Sequence, residues 1–348
     1  MILLLSLLFV SSTAYQCGTG SSTIKPPEDL SQPKYFPDDW REGQPVPSMD
    51  AGESCMRTVP VPKGYYANVT FYKNFPKPQY GTYAGYSNNK VTAIVNDDSH
   101  PFIFMSPEFY VVFQTQNETG EHRFAFKIEW IQFPDVYSEY LDVFPGDPPI
   151  AVVPNDRFTV FRTGALSKIT LSPFSLADPS MSYLLRQSLI FDSDTFYSGF
   201  LGTLEHLIYS KVPLRSTRNR IAIFTFGLNK LIDYPLYMGQ DSKDGGKYNI
   251  YWGANCPSQG LCDVSLDGTF GNSMTVTSYN GTEVIHDFRN FPETAHVNVY
   301  ENRIDSTAKV ASLGPYDYRN QLPIEVKGVE KFYELIGSGV IQMDVSRN

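Results

Sequence analysis

The sequence has 348 residues, of which 42% are hydrophobic and 14% aromatic, and its formal net charge at pH 7 is −9. At roughly 100–200 residues per domain, the length indicates two or three domains with real cores, which excludes wholesale disorder. The acidic balance argues against nucleic acid as a partner, because a nucleic-acid-binding protein needs a basic surface.

The first 14 residues predict a secretory signal peptide. The apolar run Ile2–Val10 is followed by small residues that end at Ala14. This run is too short for a bilayer, which needs about 20 apolar residues, and it matches the hydrophobic region of a signal with cleavage after Ala14. No later stretch reaches about 18 apolar residues, so we expect no membrane span and a secreted, extracellular protein.

Cysteines and glycosylation sequons agree with export. The chain has four cysteines: Cys17, Cys55, Cys256 and Cys262. Four cysteines allow three pairings, and we favour Cys17–Cys55 with Cys256–Cys262 because each pair then stays inside one proposed domain. Three sequons, which begin at Asn68, Asn117 and Asn280, fall at expected turns or solvent-facing strand positions. We therefore expect a disulfide-bonded glycoprotein.

Alternation of apolar and polar residues predicts antiparallel strands along most of the chain. Clear examples are the segments 67–71, 124–130 and 339–345, in which every second residue is apolar. Asn280-Gly281 predicts a tight hairpin between Met274–Tyr279 and Thr282–Ile285, because its residues tolerate positive φ. Helical spacing is scarce, and its best candidate is Met181–Ile190 after the start signal Asp178-Pro179.

A faint internal repeat predicts three similar units. An apolar strand, a polar turn and a closing strand recur in the segments 101–130, 204–226 and 322–345. We therefore predict an all-β chain of tandem antiparallel β-sandwiches with domains at 15–134, 135–238 and 239–348. The alternative is one larger β domain over 135–348. Proline- and glycine-rich stretches at 143–149 and 239–246 are the predicted linkers.

The first domain resembles the CUB-like domain of the secreted nematode CUB-like family. The matching motifs, in family order, are Tyr35-Phe36-Pro37-Asp38-Asp39-Trp40, Ala51-Gly52-Glu53-Ser54-Cys55, Val61–Ala67 and the strand Phe124–Trp130. They run from Cys17 to about Pro134, roughly a third of the chain. The resemblance implies a jelly-roll type β-sandwich and a link to innate defence at epithelial surfaces. It implies no catalytic residues.

A tyrosine-rich loop over residues 75–86 is the predicted ligand contact, through Tyr80, Tyr83 and Tyr86. Tyrosines give rigid contact area with a hydrogen-bonding tip, and they stack on sugar rings. The alternative is a loop folded back over the edge of the sandwich. The basic turn Arg215–Arg220 is a second candidate, for a sulphated or phosphorylated glycan, with a solvated hairpin tip as its alternative.

No metal or other cofactor is firmly indicated. Calcium is the ion that the loop carboxylates would suit, because some CUB domains of the wider superfamily bind it through such groups. The candidates are Asp97 and Asp98 in Asn96-Asp97-Asp98, and Asp192-Ser193-Asp194. The alternative is turn formation, since Asn and Asp cap their own backbone.

Enzyme motifs are absent, so we expect a non-enzymatic protein that binds extracellular protein or glycan ligands, including microbial surfaces. The chain has no Gly-x-Ser-x-Gly and no His-Glu-x-x-His. The first alternative is a secreted hydrolase centred on His286, Asp287 and His296, which requires the fold to bring a nucleophile to them. The second is a structural extracellular component.

Overall fold

Alternating strands organise the chain into three pairs of β-sheets. The computed structural model describes residues 21–75, 81–87, 90–95, 98–115, 121–197, 199–257 and 260–348. Two compact units divide the chain, one ending at Pro134 and the other beginning at Asp135. The first unit holds one sandwich and the second unit holds two, which we call the first, second and third sandwich.

The first sandwich packs a five-stranded sheet, in the order β1-β4-β9-β6-β7, against a sheet ordered β2-β10-β5-β8, with β3 paired to β10. Its strands are β1 Ser21–Thr23, β2 Lys34–Phe36, β3 Ser48–Met49, β4 Ser54–Pro60, β5 Tyr65–Asn74, β6 Gly81–Ser87, β7 Lys90–Ala93, β8 Phe102–Met105, β9 Glu108–Thr115 and β10 His122–Gln132. The predicted alternation holds, since Phe124, Phe126 and Ile128 are at most 1% exposed in the core.

The second sandwich has the strand orders β11-β13-β18-β15-β16 and β12-β19-β14-β17. Its strands are β11 Ser138–Asp142, β12 Ile150–Val152, β13 Phe158–Arg162, β14 Ile169–Pro173, β15 Leu189–Phe191, β16 Phe200–Thr203, β17 Leu214–Arg215, β18 Arg220–Phe224 and β19 Tyr237–Asp241. Helix α1 spans Leu204–Ser210, α2 spans Ser242–Gly245, and short 3-10 helices lie at Pro179–Gln187 and Leu228–Lys230.

The third sandwich has the strand orders β20-β22-β27-β24-β25 and β21-β28-β23-β26. Its strands are β20 Ile250–Gly253, β21 Leu261–Asp267, β22 Ser273–Ser278, β23 Glu283–Arg289, β24 His296–Glu301, β25 Lys309–Leu313, β26 Ile324–Val326, β27 Glu330–Ile336 and β28 Val340–Arg347. A short 3-10 helix lies at Tyr318–Asn320.

Strand for strand, the three sandwiches share one topology. If β3 is left out, each sandwich has nine strands over the described residues, and strands with the same rank in the sequence take the same position in the sheets. β1, β11 and β20 are the first strands of the three copies. In every copy the first strand pairs in parallel with its neighbour at the edge of the five-stranded sheet. This recurrence supports the predicted repeat and makes equivalent faces of the three copies comparable.

Two local predictions are wrong, and a third is confirmed in part. Asn280-Gly281 does not join a hairpin, because β22 pairs with β20 and β27 whereas β23 lies in the opposite sheet. The segment Leu204–Ile208, expected as a strand, is helical, since its leucines recur at helical spacing. The expected helix over 181–190 is a 3-10 helix that starts at Pro179 and gives way to strand β15 at Leu189.

Neither predicted linker is a loose connection. Val143 is fully buried, and its backbone N–H donates to Arg162 O at 2.8 Å. Gly239 lies inside β19, which crosses the boundary expected between residues 238 and 239. Turn-forming residues therefore occur here within packed structure, and the second sandwich extends at least to Asp241.

Candidate functional site

The outer face of the five-stranded sheet in the first sandwich presents aromatic and apolar side chains to solvent. Tyr86 on β6 pairs with Tyr110 on β9, and Val112 on β9 pairs with Met56 on β4. Met56 is 39% exposed, and a hollow of about 500 Å³ lies among the four side chains. We call Met56, Tyr86, Tyr110 and Val112 the open face.

The margin of the open face is both apolar and charged. Val91 on β7 lies opposite Tyr86 and is 54% exposed. The hydroxyl of Tyr110 donates to the carboxylate of Glu108, and this hydrogen bond raises the pKa of Tyr110. The arrangement is a flat apolar centre with one fixed tyrosine–glutamate pair at its edge.

In the second sandwich the equivalent face is covered by the chain's own aromatic residues. Phe158, Phe191 and Phe224 point outward from β13, β15 and β18, yet each is at most 4% exposed. The ring of Phe196 lies 4.6 Å from that of Phe158 and 5.2 Å from that of Phe224. The segment after β15 therefore folds over this face and removes it from solvent.

In the third sandwich the equivalent face is covered by the second sandwich. Met274, Val276 and Phe332 are all fully buried there. They form one apolar cluster with Phe174 and Met238 from the outer face of the second sandwich's four-stranded sheet. We call this contact between the second and third sandwiches the junction.

Several polar groups around the junction are hydrogen-bonded, either within the third sandwich or across to the second. Glu334 accepts from the hydroxyls of Tyr248 at 3.1 Å and Tyr300 at 2.9 Å. Asn255 donates from its side chain to the carbonyl oxygens of Ser175 at 2.8 Å and Pro235 at 2.7 Å. The outer faces of the three five-stranded sheets are equivalent. Over the described residues, the open face is the one whose large apolar side chains remain in contact with solvent.

Tyr83 does not belong to the exposed surface that the sequence predicted. It lies three positions from Tyr86, and an odd spacing on a strand places two side chains on opposite faces. Tyr83 is 7% exposed, stacks on Phe75 and shares a 2.7 Å hydrogen bond with His122 Nδ1. Burial raises the pKa of Tyr83 and lowers that of His122. Tyr80 lies outside the described residues, so of the three tyrosines Tyr86 alone is placed at the surface.

The expected calcium ligands do not form a metal site in the part of the chain that is described. Asp97 lies outside it, and Asp98 accepts from the backbone N–H of His100 at 3.0 Å as a turn residue. No group of three or more His, Cys, Asp or Glu side chains suited to a metal occurs over the described ranges. Asp98 therefore follows the turn-forming alternative.

The second calcium candidate and the basic turn neutralise each other. Asp194 forms an ion pair with Arg220, and Asp192 accepts from the backbone N–H of Thr217 at 2.9 Å. Arg215 donates to the carbonyl oxygen of Gly246 at 2.6 Å. Both carboxylates therefore have partners in the basic turn, whereas Arg215 binds a main-chain oxygen elsewhere in the second unit.

The hydrolase candidates are not brought together. His286 lies exposed on β23, with Nε2 2.7 Å from Ser346 Oγ, while His296 lies on β24 in the opposite sheet. Asp287 accepts from the backbone N–H of Phe288. A serine and a histidine therefore meet on a solvent-exposed sheet surface, and no third group that would orient the base in a triad is found among the described residues.

The covalent features fall partly within the described residues. Cys256 and Cys262 form a disulfide with a Cα–Cα distance of 5.3 Å, as expected. Cys55 is disulfide-bonded, while its expected partner Cys17, the signal segment and Asn117 lie outside the described ranges. Asn280 is exposed in the turn after β22, and Asn68 is half-buried on β5 with its amide 3.4 Å from Glu129.

A buried ionic network in the third sandwich was missed by sequence reasoning. Glu283 is fully buried and accepts from Arg347 at 3.0 Å and from Tyr333 at 2.8 Å. Arg347 also donates to the carbonyl oxygen of Cys256 at 2.8 Å, which ties the last strand to the disulfide. Alternation along the strands places Glu283 and Lys331 inward. Burying these charges requires polar partners, and those partners lie far away in the sequence.

Comparison with known proteins identifies the first unit. Residues 12–134 match the model of the CUB-like domain family. No curated protein matches the chain significantly. No helix of the described residues is long and apolar enough to cross a membrane.

The solved structures that match the chain include two regions with CUB domains. The CUB1-EGF-CUB2 region of human MASP-1/3 is 8% identical, with 57% of this chain and 97% of that chain covered and a TM-score of 0.23. The same region of rat MASP-1 is 9% identical, with coverages of 64% and 100% and a TM-score of 0.26. The full extracellular region of zebrafish Gpr126/Adgrg6 is 8% identical, with coverages of 96% and 53% and a TM-score of 0.26. These low scores carry no argument about activity, and the family match alone supports the conclusion that this protein contains a CUB-like domain in its first unit.

Proposed function

We propose that this protein is a secreted, non-enzymatic binding protein that contacts protein or glycan surfaces in extracellular innate defence. The open face of the CUB-like domain is the contact surface. CUB-like domains are typically non-enzymatic binding modules. The single observation that carries the proposal is that Met56, Tyr86, Tyr110 and Val112 keep apolar area in solvent where the two equivalent faces bury theirs.

The exposure of this apolar face costs stability, which indicates that the face has a function. Burying apolar surface gains about 25 cal/mol per Å², so an uncovered aromatic patch forgoes stability that its two counterparts obtain. Tyrosine and methionine are also side chains enriched at protein interfaces, where they supply contact area. The signal-like N-terminus, the sequons and the disulfide support an extracellular setting for the contact.

A binding screen with matched tyrosine variants tests this function. The full chain, produced through a secretory pathway, is applied to arrays of extracellular proteins, glycans and whole bacteria. We expect the double variant Tyr86→Ala/Tyr110→Ala to bind its targets at least tenfold more weakly. The control Tyr137→Ala/Tyr316→Ala removes two tyrosines that are 90% and 84% exposed elsewhere, and it should bind like the parent.

Two outcomes contradict the proposal. One is an array without binding above background for the folded parent protein. The other is equal loss of binding in both double variants, which places the contact away from the open face. Circular dichroism and thermal melting of each variant establish that the fold is retained.

A further inference from the structure

The junction shows what the open face is shaped to receive. With Met56 aligned to Met274, the cross-strand row Thr58–Tyr110–Tyr86 corresponds to the row Val276–Phe332–Tyr300. The strands are equivalent and the pairing register is the same. An aromatic residue on the central strand of the five-stranded sheet, β9 or β27, therefore lies beside a tyrosine on the next strand, β6 or β24, in both copies.

The partner of this face inside the chain is another sheet. Phe174 and Met238, at 0% and 1% exposure, project from β14's end and from β19 onto the third sandwich. The ring of Phe174 lies so close to Gly253 that a Cβ there would meet it at 2.1 Å. The two outer faces thus contact each other through apolar side chains, and a main-chain bridge between Phe174 and Gly253 adds to the contact.

The rim of the junction uses tyrosine and carboxylate groups. Tyr300 donates to Glu334, and Tyr251 donates to Gln240 Oε1 at 3.1 Å. The open face has the same two components, an apolar centre and a tyrosine–glutamate pair formed by Tyr110 and Glu108. The similarity to the junction therefore covers strand order, pairing register and an apolar centre, while the glutamate that binds tyrosine takes a different position in each face.

This chemistry favours a protein sheet over a sugar. A glycan presents hydroxyl groups that need many donors and acceptors, whereas Met56 and Val112 offer none. The Tyr110 hydroxyl is already held by Glu108. A flat apolar centre is instead matched by the alternate apolar side chains of a β-sheet.

In the junction the partner surface is the outer face of a four-stranded sheet, and over the described residues a second copy of this chain has no free apolar face of that kind. The outer face of the four-stranded sheet in the first sandwich carries Lys127 paired with Glu129. That of the third carries Arg289 paired with Asp263 and Asp344. Covering the open face with either would desolvate ion pairs without replacing their water contacts.

We propose that the open face docks onto the apolar outer face of a β-sheet in a different extracellular protein, as the third sandwich docks onto the second. This inference rests on the proposed binding function and names the class of partner. The partner supplies two or more large apolar side chains at alternate strand positions.

Site-specific photocrosslinking tests the proposal. The full chain carries p-benzoylphenylalanine at Val112, or at Gln342 on the outer face of the third sandwich as the matched control, and is irradiated in extracellular fluid of the source organism. Peptide mapping then locates each crosslink on the captured molecule. We expect crosslinks from position 112 on apolar residues at i and i+2 of a strand in one protein, and none to that protein from position 342.

Other results overturn the inference. They are crosslinks to carbohydrate, to a loop or helix of the partner, to a second copy of this chain, or no crosslink from position 112 above the control. The array experiment separates the two proposals. If binding depends on Tyr86 and Tyr110 but the crosslink is to carbohydrate, the proposed binding function holds and sheet docking is contradicted. With the identified partner in hand, Val112→Lys should weaken binding at least tenfold while Met56→Leu changes it less than threefold; equal effects also contradict sheet docking.

Discussion

The open face of the first sandwich and the junction face of the third are built on the same strands in the same register, yet their polar residues differ. Where the open face has Val112, the junction has Glu334, whose carboxylate accepts three hydrogen bonds. A carboxylate among apolar side chains is tolerable only when its partners are delivered by permanent packing. The open face has no carboxylate at this position that needs hydrogen-bond donors from a permanent neighbour. It can therefore exist with or without a partner.

A lysine placed in each face should give the largest contrast. Phe332→Lys introduces a charge into a fully buried position, and we expect the second unit to lose at least about 4 kcal/mol of unfolding free energy. Tyr110→Lys lies on the open face and should change the stability of the first unit by less than about 1 kcal/mol. Urea denaturation followed by hydrogen exchange of each unit measures both values. A similar loss for the two variants would mean that the open face is covered in the isolated protein.

Removing the rim carboxylates sharpens the same comparison. Glu334→Ala leaves the hydroxyls of Tyr248 and Tyr300 without their acceptor, and we expect a loss of about 2–3 kcal/mol. Glu108→Ala frees one partly exposed hydroxyl that water can satisfy, and about 0.5 kcal/mol or less should be lost. Chemical denaturation of the two variants checks this, and equal costs would refute the difference in burial between the rims.

The smallest effect concerns protonation at the junction. Burial raises the pKa of Glu330 on β27 from its usual value of 4.5 to about 7, against the opposing effect of the Ala151 backbone N–H. The folded protein therefore holds this proton more tightly than the unfolded chain does. Its contribution to stability is complete below about pH 4.5, falls as the pH rises, and is lost above pH 7.

Glu330→Gln should remove this pH dependence. We expect the variant to be about 1–2 kcal/mol more stable than the parent at pH 8 and about equal to it at pH 4, after allowance for partial exposure of the carboxyl. Melting curves across this pH range measure the difference. Glu293→Gln, at an exposed glutamate, is the control and should follow the parent at every pH. A parallel curve for Glu330→Gln would contradict the raised pKa.

The strands could be predicted from the local alternation of polar and apolar residues, because each strand has one face toward solvent and one toward the core. Residues 341, 343 and 345 were expected inward, and all three are fully buried. Asn280-Gly281 failed as a hairpin because the turn leads from one sheet into the other, and which sheet a strand joins depends on partners about 60 residues away, such as Arg347 for Glu283. Short-range turn chemistry contains no information about that choice.

The candidate site was predicted only in part for a related reason. Tyr86 was singled out for its residue type, but Met56, Tyr110 and Val112 lie on other strands and are gathered beside it by sheet order. Tyr83 was grouped with Tyr86 although their odd spacing on one strand separates them. The repeat was predicted from strand patterning, and the shared topology supports the prediction that 135–348 consists of two β-sandwiches, with the change between them after β19.

The position of the final strand in each sandwich has a consequence for biosynthesis. Strands β10, β19 and β28 come last in their copies, yet each lies between two neighbours inside the four-stranded sheet. A growing chain therefore keeps an unfilled gap in that sheet until the closing strand leaves the ribosome, some 100 residues after the sandwich began. During this interval two strand edges are open to misplaced pairing, so translation pauses and chaperones that guard nascent β-strands should act near residues 132, 241 and 347.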